Sequence, residues 1–239
     1  MSDIFQIASV GMQQGKQRLE AISLNASSAS QPGYRRHVAT VQPFSAVFDA
    51  SPTAEAGPGP ALQQVDLHPG ELMSTGHPLD VSIDDDDLFF ALTDGTQTWL
   101  TRAGSFHLNA DGVLVGERDL RVVGTQGDVH LPGSDVEIGA DGRITHQGAV
   151  VGALQLFKPN DRVSLQAAQG ALLVAPAGMQ PTEAGVGRVR AGTLEASNAD
   201  SSREVLTLVT LSRQFEGLSR IVQGYDEVLG RAIQKLGES

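Results

Sequence analysis

The last stretch of the chain, residues 201–239, reads SSREVLTLVTLSRQFEGLSRIVQGYDEVLGRAIQKLGES. Apolar residues recur along it at alternating steps of three and four. They are Leu208, Leu211, Phe215, Leu218, Val222, Tyr225, Leu229, Ala232 and Leu236. This spacing predicts a helix with an a/d heptad seam, a stripe that packs against another helix. Nothing adjacent in sequence can cover the seam, so its partner must be a distant part of this chain or another chain.

A second seam with the same period lies at the other end of the chain. Its members are Phe5, Ala8, Met12, Gly15, Leu19, Ile22 and Ala26. The small side chains at Ala8 and Gly15 let a second helix approach closely, although the glycine costs the helix about 1 kcal/mol. An ordinary amphipathic helix packed on a globular core would show a similar pattern. Two matched seams favour pairing of the N- and C-terminal helices as an α-helical coiled coil.

The C-terminal helix also favours contact with a neighbouring molecule. Gly217 and Gly224 lie seven residues apart on one stripe, where they weaken an isolated helix unless another helix packs against them. We therefore expect the larger seam residues to pack between subunits. They are Phe5, Met12, Leu19, Ile22, Leu208, Leu211, Phe215, Leu218, Val222, Tyr225 and Leu229.

Between the two helices the sequence predicts a turn-rich β domain. The chain of 239 residues has 27 glycines, 11 prolines and only 5% aromatic residues, and its middle part alternates with a period of two between turn signals. The candidate strands are 79–83, 88–92, 98–102, 106–108, 120–123, 143–145, 150–157, 171–174 and 187–190. The expected fold class is α+β, with terminal helices flanking a mainly β middle domain.

Residues 49–61 contain no large apolar side chain and include a Gly-Pro-Gly-Pro run, which is typical of a linker. The predicted division of the chain therefore has four segments. They are the N-terminal helix and following turn at 1–48, the linker at 49–61, the β domain at 62–196 and the C-terminal helix at 197–239.

The charge and residue content exclude several classes of function. The formal net charge is -11, which disfavours binding to nucleic acid or to an anionic membrane. The chain has no cysteine, so disulfides, thiolate nucleophiles and cysteine-ligated metals are impossible. We expect no membrane insertion, because no run approaches the roughly 18 apolar residues of a membrane span. The first twenty residues do not resemble a signal peptide, which predicts a cytosolic protein or export without a cleaved signal.

The candidate chemical groups in the sequence are few. Four consecutive carboxylates at 84–87 fit a solvated turn or, alternatively, a cation site, although they lack the spacing of a calcium loop. The basic segment 34–37 fits a solvated turn or docking to an acidic neighbour. Six scattered histidines show no zinc-ligand spacing, and Ser105 near His107 is not completed to a catalytic triad. We therefore expect no catalytic, cofactor or metal site, with an exported β-domain enzyme or ligand-binding module as the alternative from another class.

Three blocks of sequence together resemble the axial protein family of the bacterial flagellum, which comprises the rod and hook proteins. The blocks are Gln31-Pro32-Gly33-Tyr34-Arg35-Arg36, a central block from Gly70 through the Thr-Arg-Ala-Gly-Ser-Phe segment ending at Phe106, and Gly192 to Asp200 before the last helix. The residues that carry the resemblance are Gly33, Tyr34, Thr75, Gly76, Pro78, Leu79, Asp80, Arg102, Gly104, Phe106 and Asn198. The Asn-rich signature that the family has at the end of its first helix is represented here by Asn25.

The resemblance implies a structural subunit of the flagellar basal-body rod without catalytic activity. It implies export in the unfolded state through the flagellar export apparatus, without a cleaved signal peptide, and assembly in the periplasm with copies of itself and with other rod or hook subunits. The terminal helices would form an inner coiled-coil tube and the β domain an outer layer. The chain length fits the proximal rod proteins best, with a distal rod or hook-type subunit as the alternative.

Overall fold

A computed structural model describes residues 2–39, 63–160, 165–176, 179–183 and 187–237. Within its elements, the side chains of residues 2–10, 63, 218, 221–222 and 225–237 lie outside the described part. Helix α1 spans Ser2–Ser28 and helix α2 spans Ser201–Gly237, with eighteen described strands between them. The α+β class expected from the sequence is therefore confirmed.

The strands are short, and the linker predicted at 49–61 falls outside the described residues. In chain order they are β1 His37–Ala39, β2 Gln63–Val65, β3 Leu72–Ser74, β4 Val81–Ile83, β5 Phe89–Thr93, β6 Thr98–Thr101, β7 His107–Leu108, β8 Leu114–Val115, β9 Arg121–Gly124, β10 Gly127–Asp128, β11 Glu137–Ile138, β12 Arg143–His146, β13 Ala149–Ala153, β14 Leu156–Lys158, β15 Leu172–Val174, β16 Gln180–Pro181, β17 Val189–Ala191 and β18 Thr193–Glu195. A short 3-10 helix, Glu117–Asp119, lies between β8 and β9.

The largest sheet runs in the order β15-β6-β5-β9-β8-β7, and β14 adds to β5 beside it. Strand β5 is buried on both faces, because successive side chains of a strand point in opposite directions. Phe90 and Leu92 join the main hydrophobic core, whereas Phe89 and Ala91 face a second apolar cluster. This explains why the sequence of β5 is a continuous apolar run rather than an alternating one.

Most of the predicted strands are confirmed, but the run predicted over 150–157 is wrong as a single strand. It divides into β13, which pairs with β12 in a three-stranded sheet, and β14, which pairs with β5 in the main sheet. The chain passes from one sheet to the other at Leu154 and Gln155. Apolar alternation continues through this crossing because both strands are half-buried, so periodicity alone gives no sign of the break.

Two short ribbons carry the chain into and out of the β domain. Strand β3 pairs with β18 and strand β4 pairs with β17, both antiparallel, with Met73 opposite Leu194 and Val81 opposite Ala191. The incoming and outgoing segments therefore lie side by side. These ribbons bring the start of α2 next to the segment that follows α1.

The two helices contact each other and run in opposite directions. A Cβ atom at Gly15 would lie 3.9 Å from the ring of Phe215, while the end of α1 and the start of α2 both contact segment 34–37. Helix α2 is capped by Asp200, whose carboxylate accepts hydrogen bonds from the backbone N–H groups of Ser202 and Arg203 at 2.9 and 3.2 Å. The side chain of Asn198, two residues earlier, bonds to other segments of the chain.

Candidate functional site

A fully buried arginine lies where the helices meet the β domain. The side chain of Arg102, 1% exposed, donates from Nε to Glu195 Oε2 at 2.7 Å. Its Nη1 atom donates to the carbonyls of Asp85 and Leu88 at 2.7 and 2.6 Å, and its Nη2 atom donates to Ile83 O at 2.9 Å. Arg102 therefore fixes the backbone of the acidic turn and holds the last strand before α2.

Glu195 binds a second buried guanidinium from the other end of the chain. Its Oε1 atom lies 2.5 Å from Arg35 Nη1, and it also accepts a hydrogen bond from Gly70 N at 3.0 Å. Burial lowers the pKa of Arg35, while Glu195 opposes that shift. Arg35 lies between α1 and β1, so one carboxylate connects the segments attached to both helices. Arg35, Glu195 and Arg102 are called the ion-pair hub below.

A second set of contacts ties the start of α2 to the same region. Arg36 donates from Nε to Glu204 Oε1 at 2.5 Å, and its backbone N–H donates to Asn198 Oδ1 at 2.7 Å. The amide nitrogen of Asn198 donates to the carbonyls of Asp66 and His68, both at 2.8 Å. Asn198 therefore joins three chain segments that are far apart in sequence, which gives this residue of the family pattern a structural role.

The end of α1 is held by a buried asparagine. Asn25 is fully buried; its Oδ1 accepts from the Tyr34 hydroxyl at 3.1 Å and from His37 N at 2.7 Å, and its Nδ2 donates to His37 O at 2.9 Å. The Tyr34 and His37 rings stack with 5.4 Å between their centroids. Burial raises the pKa of Tyr34 to about 12. Segment 34–37 is thus packed against the chain's own acidic and polar groups, and its interpretation as a solvated turn is wrong.

Two glycines of the family pattern allow backbones to approach closely. Gly33 has φ +68°, and a Cβ there would lie 2.1 Å from Ala103 N, while its own N–H donates to Glu195 O at 2.7 Å. A Cβ at Gly104 would lie 1.6 Å from Val81 O. No larger residue fits either position without moving backbone, so both glycines are explained by packing.

The other residues of the family pattern divide between the core and the ribbon turn. Leu79 and Phe106 are buried, and Phe106 packs edge-to-face on Phe90 with 5.1 Å between ring centroids. Thr75 and Gly76 donate from their backbone N–H groups to the Gly192 carbonyl, and Asp80 O accepts from Gly192 N at 2.8 Å. The exposed Pro78 lies in the same turn. This turn therefore locks the incoming chain to the outgoing chain just before β18.

The acidic turn at 84–87 pairs with cations of the same chain. Asp84 lies 2.6 Å from Arg190 Nε, and Asp87 lies 3.5 Å from Lys158 Nζ. The turn is largely exposed, as a solvated turn predicts, but basic side chains neutralise part of its charge. Within the part of the chain that the structure describes, no group of three or more His, Asp or Glu side chains could hold a metal ion.

The predicted seams are covered only in part. Ile22 and Leu211 are buried, Met12 and Leu208 are half-buried, and Leu19 and Phe215 are 41% and 45% exposed. An open groove of about 640 Å³ separates the helices at this level, and the glycine and apolar residues of its lining are Gly11, Met12, Gly15, Leu19, Leu211 and Phe215. The side chains of Phe5, Leu218, Val222, Tyr225 and Leu229 lie outside the described part of the structure.

A further apolar patch lies near the start of α2. Val205, Leu206 and Val209 are 49%, 70% and 46% exposed. At about 100° per residue, Leu206 lies roughly 140° around the helix from the buried Leu211. Helix α2 therefore presents apolar surface both toward α1 and away from it. Among the described residues, no helix is long and apolar enough to cross a membrane.

Sequence reasoning identified Arg102 and Asn198 through the family pattern but missed the buried roles of Arg35, Glu195 and Glu204. One signal concerned Arg102 alone. Arg102 directly follows β6, whose last two residues are buried, and a charged side chain in such a position is rarely buried without a partner. Nothing in the sequence indicated Glu195 as that partner.

Comparison with known proteins finds similarity to flagellar basal-body rod proteins. Residues 190–235 match the family model described as flagellar basal body rod FlgEFG protein C-terminal. The flagellar basal-body rod protein FlgF of Escherichia coli is 29% identical, with 90% of each chain covered, and that of Salmonella typhimurium is 28% identical with the same coverage. The rod protein FlgG of Bacillus subtilis is 26% identical over 92% of this chain and 93% of its own.

These matches cover the helices as well as the β domain, and the residues of the family pattern occupy defined structural positions. Gly33, Tyr34, Arg102 and Asn198 all lie at the place where helices and β domain meet. The similarity and the geometry therefore agree: over about nine-tenths of its length the chain is similar to flagellar basal-body rod proteins, and residues 190–235 match the C-terminal family model of those proteins.

Proposed function

We propose that this protein is a structural subunit of the flagellar rod that polymerises through its terminal helices and transmits torque without catalysing a reaction. Its partners are copies of itself and other rod or hook subunits, and it reaches the periplasmic rod through the flagellar export apparatus without a cleaved signal peptide. The proximal part of the rod is the favoured position, and cryo-microscopy of basal bodies carrying a tagged chain tests that position.

The exposed apolar surface of the helices carries this proposal. Leu19 and Phe215 flank an open groove, and Val205, Leu206 and Val209 form a second exposed apolar patch on α2. Contiguous exposed apolar surface on a soluble protein marks an interaction site. In a rod, neighbouring helices would bury this surface, and the relatives that match over nine-tenths of the chain are named rod proteins.

We further propose that α1 and α2 pair as a coiled coil in the assembled rod. The seam positions Ile22 and Leu211 are already buried within one chain, whereas Leu19 and Phe215 are left open for a third helix. Among the described residues, nothing lies within 4 Å of a Cβ placed at Gly217 or Gly224, so the described part of the chain leaves that stripe of α2 uncovered. The stripe would accept a helix of a neighbouring subunit.

The predicted segments 1–48, 49–61, 62–196 and 197–239 correspond in this proposal to separable tasks. Deletion of residues 1–26 or 201–239 should leave a soluble, folded β domain that is not incorporated into rods. A deletion mutant that still swims would contradict the assignment of assembly to the helices.

The sharpest test places a charge on the groove without disturbing the fold. Phe215→Asp is introduced into a strain from which the gene has been deleted, and swimming and isolated basal bodies are examined. We expect a folded protein by circular dichroism, no completed rods and no motility, because the aspartate would have to be buried between subunits.

Gln126→Asp is the matched control. Gln126 is exposed in the turn between β9 and β10 of the β domain, outside the helices, and the substitution adds the same charge. The control should support motility. Normal rods with Phe215→Asp would contradict the proposed role of the groove.

A further inference from the structure

We propose that the ion-pair hub of Arg35, Glu195 and Arg102 is a latch that couples the ordering of α1 and α2 to the folded state of the β domain. Helices released from the hub would lose their antiparallel arrangement while the β domain stays folded. The inference rests on the proposed function, because it takes the two helices as the assembly surface. It adds that the β domain governs when this surface exists.

The β domain supplies the fixed half of the latch. Three of the four hydrogen bonds of Arg102 go to backbone carbonyls of the turn before β5, at Ile83, Asp85 and Leu88. These carbonyls converge only when β4, the turn and β5 have their folded arrangement. The guanidinium of Arg102 is therefore positioned to pair with Glu195 only when the β domain is folded.

The segments next to the helices supply the movable half. Glu195 ends β18, six positions before the first residue of α2, and Arg35 follows the last residue of α1 by seven positions. Gly33 N also donates to Glu195 O at 2.7 Å, so the two segments are bonded to each other as well as to the hub. Closing the hub thus brings the end of α1 and the start of α2 together.

Burial makes the hub close as a unit. The side chains of Arg35, Glu195 and Arg102 are 2%, 1% and 1% exposed. Glu195 is the shared counter-charge of both guanidiniums, so a hub opened at Glu195 would leave Arg35 and Arg102 as uncompensated charges away from water, which is far less favourable than the fully paired arrangement. A partly closed hub is therefore unfavourable, and this gives the latch its two-state character.

The contacts between α1 and α2 and their helix propensity give the two helices little stability of their own. Leu19, Leu24 and Phe215 are more than two-fifths exposed, and glycines at Gly11 and Gly15 lower helix propensity along the α1 side of the groove. Helices gain most of their stability from tertiary packing of an apolar face. Because that packing is incomplete in one chain, the junction contributes the deciding contacts.

Hydrogen-deuterium exchange on the full-length protein tests the latch. The variant Arg35→Met removes the helix-side cation and leaves the pair between Arg102 and Glu195 intact, so the β domain should remain folded. We expect exchange to accelerate by roughly a hundredfold in residues 21–37 and 196–211, with no change in β5 and β6. Glu195→Gln removes the counter-charge of both arginines and should accelerate exchange in the same two segments at least as strongly.

The control is Glu216→Gln, which removes an exposed charge pair with Arg220 on α2. It should leave exchange unchanged in all segments. Unchanged exchange near the junction in Arg35→Met would overturn the proposal, as would equal acceleration in β5 and β6, which would make the hub a general stabiliser of the core. If Glu195→Gln does not fold, Arg35→Met decides alone. Rod assembly is measured separately by complementation, so failure of the latch and failure of the proposed function are distinguishable.

Discussion

Arg102 and Glu195 are 93 residues apart in sequence, yet their side chains form an ion pair at 2.7 Å with 1% of each exposed. The pair joins the middle of the main sheet to the strand that precedes α2. Because both groups are removed from water, its contribution depends on complete pairing rather than on Coulomb attraction alone.

Arg102→Met should therefore be strongly destabilising. Methionine fills much of the same space but leaves Glu195 with Arg35 alone and removes a donor from each of three backbone carbonyls, so we expect a loss of about 3–5 kcal/mol in the free energy of unfolding. Urea denaturation measures this loss. The control, Arg190→Met, breaks an exposed pair with Asp84 and should cost less than about 1 kcal/mol. Similar losses in the free energy of unfolding for the two variants would show that the buried ion-pair hub stabilises the fold no more than an exposed ion pair does.

Gly33→Ala and Gly76→Ala distinguish two reasons why a position requires glycine: a left-handed backbone conformation and close packing against another backbone segment. Both residues have positive φ, +68° and +72°, but a Cβ at Gly33 meets backbone at 2.1 Å, whereas a Cβ at Gly76 meets nothing within 4 Å. The left-handed conformation alone should cost Gly76→Ala about 1–2 kcal/mol. Gly33→Ala should lower the midpoint of thermal unfolding considerably more, and equal shifts would rule out close packing as the cause.

Asn25→Asp should destabilise the end of α1. The substitution replaces the Nδ2 donor by an oxygen that faces His37 O, and it buries a charge, so we expect a loss of about 2 kcal/mol or more in urea denaturation. Asn109→Asp is the control, because Asn109 uses only its Oδ1 atom, which accepts from Asp111 N and Val113 N. A carboxylate can accept both bonds, so stability should change little. A harmless Asn25→Asp would mean that the amide donor is dispensable.

Tyr34 should make the protein sensitive to alkaline pH. Its pKa is raised by burial from 10.0 to about 12 in the folded protein, so the folded state holds the phenolic proton more tightly than the unfolded state. The resulting stability is fully present below pH 10 and is lost as the pH rises through 10 toward 12. The wild-type phenolate absorbance minus that of Tyr34→Phe isolates this group, since the chain has two tyrosines. A midpoint near 10 with the protein still folded would contradict the burial of the hydroxyl.

The helices and most longer strands were predictable from sequence because their information is local. The heptad spacing predicted α1 and α2, and the period-two alternation predicted strands such as β6 and β9. Strands β3 and β18 were missed because three residues are too few to establish a period. They are strands only because each pairs with the other across more than a hundred residues.

The candidate site was predictable only in part. The seam pattern identified Leu211 and Phe215 as packing residues, but which of them is covered within one chain depends on how the helices are set by the junction. The hub itself has no local pattern, since Arg35, Arg102 and Glu195 come from three distant segments. Arg102 was singled out as one of the residues that carry the family resemblance. Its four hydrogen bonds follow from the three-dimensional structure and not from the sequence.

The side-by-side ribbons β3–β18 and β4–β17 have a consequence for how such proteins can change size. Since the chain leaves the β domain where it came in, the part between Ile83 and Val189 behaves as an insertion into a short stem. That part could be lengthened, shortened or exchanged without altering the separation of the helix ends, provided the replacement returns an arginine to the place of Arg102. In the proposed rod, the size of the β domain could thus change during evolution while the terminal helices and their packing stay the same.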